Sequence, residues 1–272
     1  MTTDGNDSTD VEEVLQGGVA NAGAVVRVGH FVLRPSNPHS EHIHELFRHV
    51  RATGFEGVPE PVGIDPDGRE RLVFVEGDTA WPPFPPWVQT DRALASIAEL
   101  LAGFHAASAG FVSSDGAGWS AELADQGRNE VVCHNDVCVE NVVFREGVAV
   151  AILDFDFAAP GRKLYDVAQL AKMCVPLDTP RDAEVWGWGS LDCFSRVRVV
   201  ADGYGLAAGE REELVDVIAE VMATSGAFVR RRVERGEPAF VEMWEKMGGE
   251  ARFERRARWF ERERDRFVEA LA

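Results

Sequence analysis

Between Val131 and Phe144 the chain reads VVCHNDVCVENVVF. Apolar, strand-like residues surround two polar groups, His134-Asn135-Asp136 and Glu140-Asn141, for which a plain structural strand has no use. Further on, Ile152-Leu153-Asp154-Phe155-Asp156 repeats the pattern of carboxylates set into apolar sequence. Val142-Val143-Phe144 and Val148 to Leu153, joined by a turn at Arg145-Glu146-Gly147, read as a tight hairpin. The ends of such a hairpin lie side by side, so Asn141 and Asp154 can face one cavity. Two oxygen donors there suit Mg²⁺, a hard cation that keeps waters and shares its shell with phosphates. Asp136, just before the first strand, is placed to accept a hydroxyl proton in the same cavity. Together these residues could carry out phosphoryl transfer.

The elements upstream predict a scaffold for such a site. Val14-Leu15-Gln16, Ala24 to Val28 and Phe31 to Arg34 read as three antiparallel strands separated by glycine-rich turns. Ser40 is a candidate N-cap for a helix with Ile43, Leu46, Phe47 and Val50 on one face. Two more strands, Pro61 to Ile64 and Arg69 to Val75, flank an Asp65-Pro66-Asp67-Gly68 turn. The Pro-rich stretch 77–88 reads as a connector, and beyond it the pattern turns helical. Thr90 caps a helix carrying Ala93, Ile97, Leu100, Leu101 and Phe104, in which His105 reads as a buried, satisfied histidine. Further helices are predicted over about 165–174, 190–204, 208–235, 237–247 and 250–271. The expected organisation is α+β and bilobal. The expected divisions are an unstructured acidic tail over 1–12, an antiparallel-sheet lobe with one helix over 13–76, a linker over 77–88, and a larger, mainly helical lobe over 89–272.

Composition narrows the function classes. The 272 residues are 45% hydrophobic and 27% charged, which is globular composition. No apolar run approaches the roughly 20 residues of a membrane-spanning helix. The first residues, MTTDGNDSTDVEEV, lack the basic and apolar blocks of a signal peptide, so a cytoplasmic protein without a membrane partner is expected. The cysteines Cys133, Cys138, Cys174 and Cys193 fit no common zinc spacing and read as reduced, buried hydrophobes. Net charge is −18, which argues against a nucleic-acid partner. An acidic surface would favour a cationic small molecule, and serves equally for plain solubility.

The combination H-N-D-x-x-x-x-N at 134–141, followed by D-F-D at 154–156, resembles the catalytic and metal-binding loops of eukaryotic-like kinases. It is most similar to the aminoglycoside phosphotransferase and choline kinase group, and Ala158-Ala159-Pro160-Gly161 through Ala168 continues the likeness. The resemblance implies a protein-kinase-like fold, ATP and Mg²⁺ as cofactors, Asp136 as catalytic base or hydroxyl-orienting group, and Asn141 and Asp154 as metal ligands. It implies that His134 braces the loop, that Asp166 ties the loop down, and that Asp156 is either a neighbour of the metal site or part of the substrate wall. Gly17, Gly18 and Asn21 look like the loop over the nucleotide phosphates. Arg34 stands where the phosphate-gripping lysine is usual, and an arginine can hold two phosphate oxygens. Its usual helix-borne glutamate partner is not evident: Glu41 and Glu45 fall on the far side of the helix, and His44 is better aimed. Val73 and Val75 would hydrogen-bond adenine through their backbone.

The expected function is therefore transfer of a γ-phosphate to a hydroxyl of a small, cationic acceptor, an aminoglycoside or another antibiotic-like compound. The competing readings are a kinase of choline, a sugar or an amino alcohol, a nucleotide-binding pseudokinase, and a helical assembly scaffold.

Overall fold

The computed structural model describes residues 12–16, 23–112 and 118–272. Glu13–Val14 (β1), Val26–Val28 (β2) and Phe31–Pro35 (β3) form an antiparallel meander, and Ser40–Ala52 (α1) follows. Pro61–Ile64 (β4) and Arg69–Val73 (β5) complete a five-stranded antiparallel sheet in the order β1-β2-β3-β5-β4. The α1 stripe Ile43, Leu46, Phe47 and Val50 is buried. Ser40 does not cap α1: His39 occupies the N-cap, and the Ser40 hydroxyl instead donates to Glu70 Oε1 at 2.6 Å. Its oxygen accepts from the Asn37 N–H at 2.9 Å, ahead of the helix, so the hydroxyl joins that turn to Glu70, a long-range partner that spacing does not reveal.

Beyond the linker, Asp91–Ala107 (α2) begins at Thr90, whose side chain accepts from the Ala93 N–H as expected. Val131–Cys133 (β6) leads to a short 3₁₀ turn at Val139–Asn141, and Val142–Arg145 (β7) pairs with Val148–Ile152 (β8). Glu146 and Gly147, at φ 52° and 73°, make the tight reversal between these strands. Ala159–Gly161 (β9) returns antiparallel to β6, a pairing the sequence reading lacked.

Helices Lys163–Cys174 (α3), Pro180–Val185 (α4), Cys193–Tyr204 (α5), Ala208–Glu234 (α6) and Pro238–Met247 (α7) follow. The expected final helix is divided into Gly249–Arg262 (α8) and Arg264–Leu271 (α9). The break at Glu263 lets Phe260 and Phe267 stack at 5.1 Å while both stay buried. The unforeseen α4 starts where the Thr179 side chain accepts from the Asp182 N–H and proline fills the first turn.

The 77–88 segment is fastened to the β7–β8 hairpin. Asp78 and Phe144 exchange backbone hydrogen bonds of 2.8 Å in each direction, and Arg145 Nε donates to the Glu76 carbonyl at 2.9 Å. Gly77 is needed there: its φ is +150°, and a Cβ would lie 2.5 Å from Val143 Cγ1 and 2.6 Å from the Phe144 oxygen. Phe84 packs on Trp188 at 4.4 Å and Trp87 on Phe144 at 5.2 Å, so part of the Pro-rich segment clasps the helical lobe. Gly77→Ala should destabilise the protein by about 2 kcal/mol, read as a lower urea midpoint with an unchanged slope.

Candidate active site

The loop that leaves β6 at His134 is fixed by one carboxylate. Asp166, fully buried on α3, accepts from the backbone N–H of His134 at 2.7 Å and of Asn135 at 2.8 Å. It also faces His105 Nε2 at 3.0 Å, and the second nitrogen of that buried ring meets the Tyr204 hydroxyl at 2.7 Å. Burial works to raise the Asp166 pKa, but the His105 hydrogen bond and the His134 partners outweigh it and hold the carboxyl below its usual range. These bonds keep Asn135 at φ +64°, helped by its side chain donating to the Phe157 carbonyl at 2.9 Å. A non-glycine residue in that conformation persists only when its surroundings over-determine it.

His134 is used up within the loop. Its Nε2 lies 2.8 Å from the Leu153 carbonyl, which can only accept, and its Nδ1 accepts from the Asp136 N–H at 3.2 Å. Those partners require the neutral ring with its proton on Nε2. Burial lowers its pKa in agreement. His134 therefore links the loop that carries Asp136 to the strand end that carries Asp154.

The Asn141 side chain donates to the Asp136 carbonyl at 3.0 Å and to Asp136 Oδ2 at 3.4 Å, which turns its amide oxygen away from that residue. The Leu153 N–H donates to the Asn141 carbonyl at 2.7 Å, so the hairpin ends meet as its register requires. Asp154 sits at φ +61°, and Phe155 beside it is clamped by Phe47 at 4.9 Å, Phe104 at 5.2 Å and His134 at 4.3 Å. Asp136, Asn141, Asp154 and Asp156 all line one cavity of about 820 Å³. An amide oxygen and a carboxylate at its edge form a hard donor set that fits Mg²⁺. Burial, then the neighbouring Asp154 charge, pushes the Asp136 carboxyl up to about 7.

Arg34 reaches this centre from β3. Its Nη1 donates to Asp154 Oδ1 at 3.1 Å, its Nη2 pairs with Asp156 Oδ1, and its Nε lies 3.8 Å from Glu70 Oε1. Asn37 Nδ2 also donates to Asp156 Oδ1 at 2.8 Å. Burial disfavours the charged guanidinium, yet Asp154, Asp156 and Glu70 hold its pKa above the ordinary value. The partner sought on α1 lies instead on β5: Glu70 stands directly across the strand pair from Arg34. His44 supplies the helix's contribution, its Nε2 lying 3.1 Å from Glu70 Oε2. Glu70 had one signal in the sequence, since it alternates with Leu72 on the inward face of β5.

Two sequence expectations fare differently. Gly17, Gly18 and Asn21 lie outside the described residues. The Val73 N–H already donates to the Glu60 carbonyl at 2.9 Å, and that of Phe74 to His30 at 2.8 Å. Val73 belongs to an interior strand, so its N–H is taken by the sheet and is not available to adenine. Val75 lies beyond the end of β5.

The model of the phosphotransferase enzyme family matches residues 117–200, the stretch that holds the His134–Asn141 loop, the β7–β8 hairpin and Asp166. The trifolitoxin immunity protein of Rhizobium leguminosarum bv. trifolii is 34% identical over 200 residues, covering 71% of this chain and 74% of that protein. The chain belongs to the phosphotransferase enzyme family. Solved structures agree on the fold. A choline/ethanolamine kinase family protein from Mesorhizobium loti superposes with TM-score 0.66 at 16% identity, covering 98% of this chain and 94% of that one. The GDP complex of aminoglycoside 2′-phosphotransferase-IIIa gives TM-score 0.57 at 14% identity, covering 93% and 94%. The fold of this phosphotransferase is thus protein-kinase-like, with the antiparallel sheet on one side and the helices on the other.

Asp166→Asn should cost about 3 kcal/mol, because one buried carboxylate serves three donors. A depressed native pKa means that the charge's contribution is complete above the unfolded value of about 4 and is lost as pH falls through the native one. Urea midpoints measured from pH 7 to pH 3 should therefore fall more steeply for the wild type than for the variant.

Proposed function

We propose that this family member is a Mg²⁺- and ATP-dependent kinase that phosphorylates a hydroxyl of a small-molecule acceptor. One observation carries the reading: Asp136, Asn141 and Asp154 open onto the same cavity, on backbone fixed by Asp166 and His134. In the reaction the acceptor oxygen bonds to the γ-phosphorus while the bond from that phosphorus to the β-γ bridging oxygen breaks. The acceptor proton passes to the Asp136 carboxylate, and the products are a phosphomonoester and ADP. Asn141 and Asp154 would hold magnesium, which when bound would offset the charge of the phosphates. Arg34 swings from Asp154 toward the phosphate oxygens, with Glu70 and His44 keeping its stem in place. Asp156 keeps Arg34 near the metal site, and the Val73 carbonyl and the Val75 backbone are the remaining candidates for adenine. Gly17, Gly18 and Asn21 are assigned to the nucleotide phosphates on the sequence resemblance alone.

A relative named as an immunity protein supports an antibiotic-like acceptor and a protective role. Four buried cysteines, all free, suit a reducing cytoplasm. Among the described residues, no helix is long and apolar enough to cross a membrane.

A coupled ADP-release screen of aminoglycosides, other antibiotics, choline and sugars tests the proposal, alongside thermal shift with Mg²⁺ and ATP. Asp136→Ala should lower kcat about 10²- to 10⁴-fold while keeping the nucleotide-induced shift. Asp154→Ala should lose the magnesium-dependent part of that shift as well as turnover. A wild-type protein whose melting temperature ignores Mg²⁺ and ATP would refute the reading.

A further inference from the structure

The cavity that contains Asp136 extends far past the reacting atoms, along a wall made by α4, α6, α7 and α8. Its surface there is aromatic and sulfur-rich: Trp186, Trp188, Phe228, Phe240, Met243 and Phe253. Helix α7 buries none of its residues, although Phe240, Met243 and Met247 make an apolar stripe along the side that faces this space. A volume of about 820 Å³ lies in the range of pockets that enclose drug-sized ligands.

Charge on the wall does not favour a cation. Lys172 Nζ bonds only neutral groups, Ser225 Oγ at 2.6 Å and Gln169 Oε1 at 3.2 Å. Arg256 donates to the carbonyls of Leu177 at 2.7 Å and Lys172 at 3.3 Å. Neither forms a salt bridge among the described residues, and burial pulls Lys172 down to about 8 and Arg256 to about 10. Asp178, the wall's buried carboxylate, is matched by Arg252 at 2.7 Å. Asp136, Glu140, Asp154 and Asp156 stand together at the other end, beside the reacting atoms and away from this wall. Glu261 is exposed at the far rim.

Aromatic faces can hold cationic ligands, but here the protein's own arginines use them. Arg252 lies 4.9 Å from the Trp186 ring, Arg232 5.1 Å from Phe228 and 5.5 Å from Phe240, and Arg230 5.6 Å from Phe253. Along the α6–α7–α8 wall a polycationic sugar would have to desolvate several ammonium groups where the one buried carboxylate, Asp178, is already paired with Arg252.

We propose that the acceptor is a bulky hydroxy compound with an aromatic or otherwise apolar body and neutral or negative charge, bound with its hydroxyl at Asp136 and its body against the α6–α7–α8 wall. The proposal rests on the kinase reading above and replaces the cationic acceptor expected from net charge. That charge describes the whole surface, whereas selectivity is set by the wall.

The test uses the full chain and the fluorescent aromatic anion 1-anilinonaphthalene-8-sulfonate. The dye should bind saturably, and millimolar kanamycin should not displace it. Ala223→Trp fills the cavity from α6, and Met243→Asp puts a charge on the half-buried face of α7. Each should weaken dye binding at least tenfold while leaving the thermal shift with Mg²⁺ and ATP as in wild type. Dye binding unchanged in both variants, or displacement by micromolar kanamycin, overturns the proposal and leaves the kinase reading intact. Loss of the nucleotide shift in the wild type has the opposite meaning, since it removes the kinase reading whatever the dye does.

Discussion

Arg34 stands among three carboxylates, Glu70, Asp154 and Asp156, contributed by the sheet on one side and the catalytic hairpin's exit on the other. Three anions around one guanidinium leave the cluster short of positive charge in a partly buried setting, where unpaired charge is costly. That deficit is the constraint behind the rest of the site. It draws the sheet toward the helical lobe, it keeps Asp154 poised in a left-handed conformation, and it creates demand for a further cation beside Asp154. A cation bound there would meet that demand. The same arrangement explains why arginine serves where a lysine is usual. A planar fork can span Asp154 and Asp156 together, which a single ammonium cannot.

The opposite side of the cavity is held by hydrogen bonds to backbone and by packing. Asp166 fixes two successive N–H groups, His134 ties the loop to the Leu153 carbonyl, and Phe155 is wedged among Phe47, Phe104 and His134. Because Phe47 comes from α1 and Phe104 from α2, the residue between the two site aspartates is clamped by both lobes. The Gly77 turn and the Asp78–Phe144 exchange add a second tie on the outside of the hinge. Precise placement of Asp136 is therefore a property of the whole core and not of its own loop.

Much of this was legible in the sequence, for local reasons. The catalytic loop, the hairpin, the Thr90 cap and the α1 stripe are short-range patterns, and each forms close to where its residues predict. What escaped depends on partners distant in the chain. Glu70 reads as one more charged strand residue until β3 is placed beside it. Ser40 looks like a cap until the fold spends its hydroxyl between the Asn37 N–H and Glu70. Val73 looks like a free hinge until the Glu60 carbonyl takes its N–H. The strand β9 is too short to announce itself without β6. Lys172 gave no sign because α3 reads as an ordinary buried helix, and only the fold turns its amine toward the cavity.

Charge shows the same division between global and local properties. The chain is acidic overall, with 12 Lys and Arg against 10 Asp and Glu from Phe228 onward. That basic stretch forms α7, α8, α9 and the end of α6, so it builds much of the cavity's outer wall. Its arginines spend their charge on the protein's own carboxylates and aromatic faces, as Arg230 does with Glu250 at 2.6 Å and with Phe253. An acidic exterior raises the local concentration of any cation, but entry is decided by desolvation against the wall. A ligand whose apolar body replaces water on Phe240 and Met243 gains roughly 25 cal/mol for each square ångström covered. A polycation gains little there and must give up its hydration.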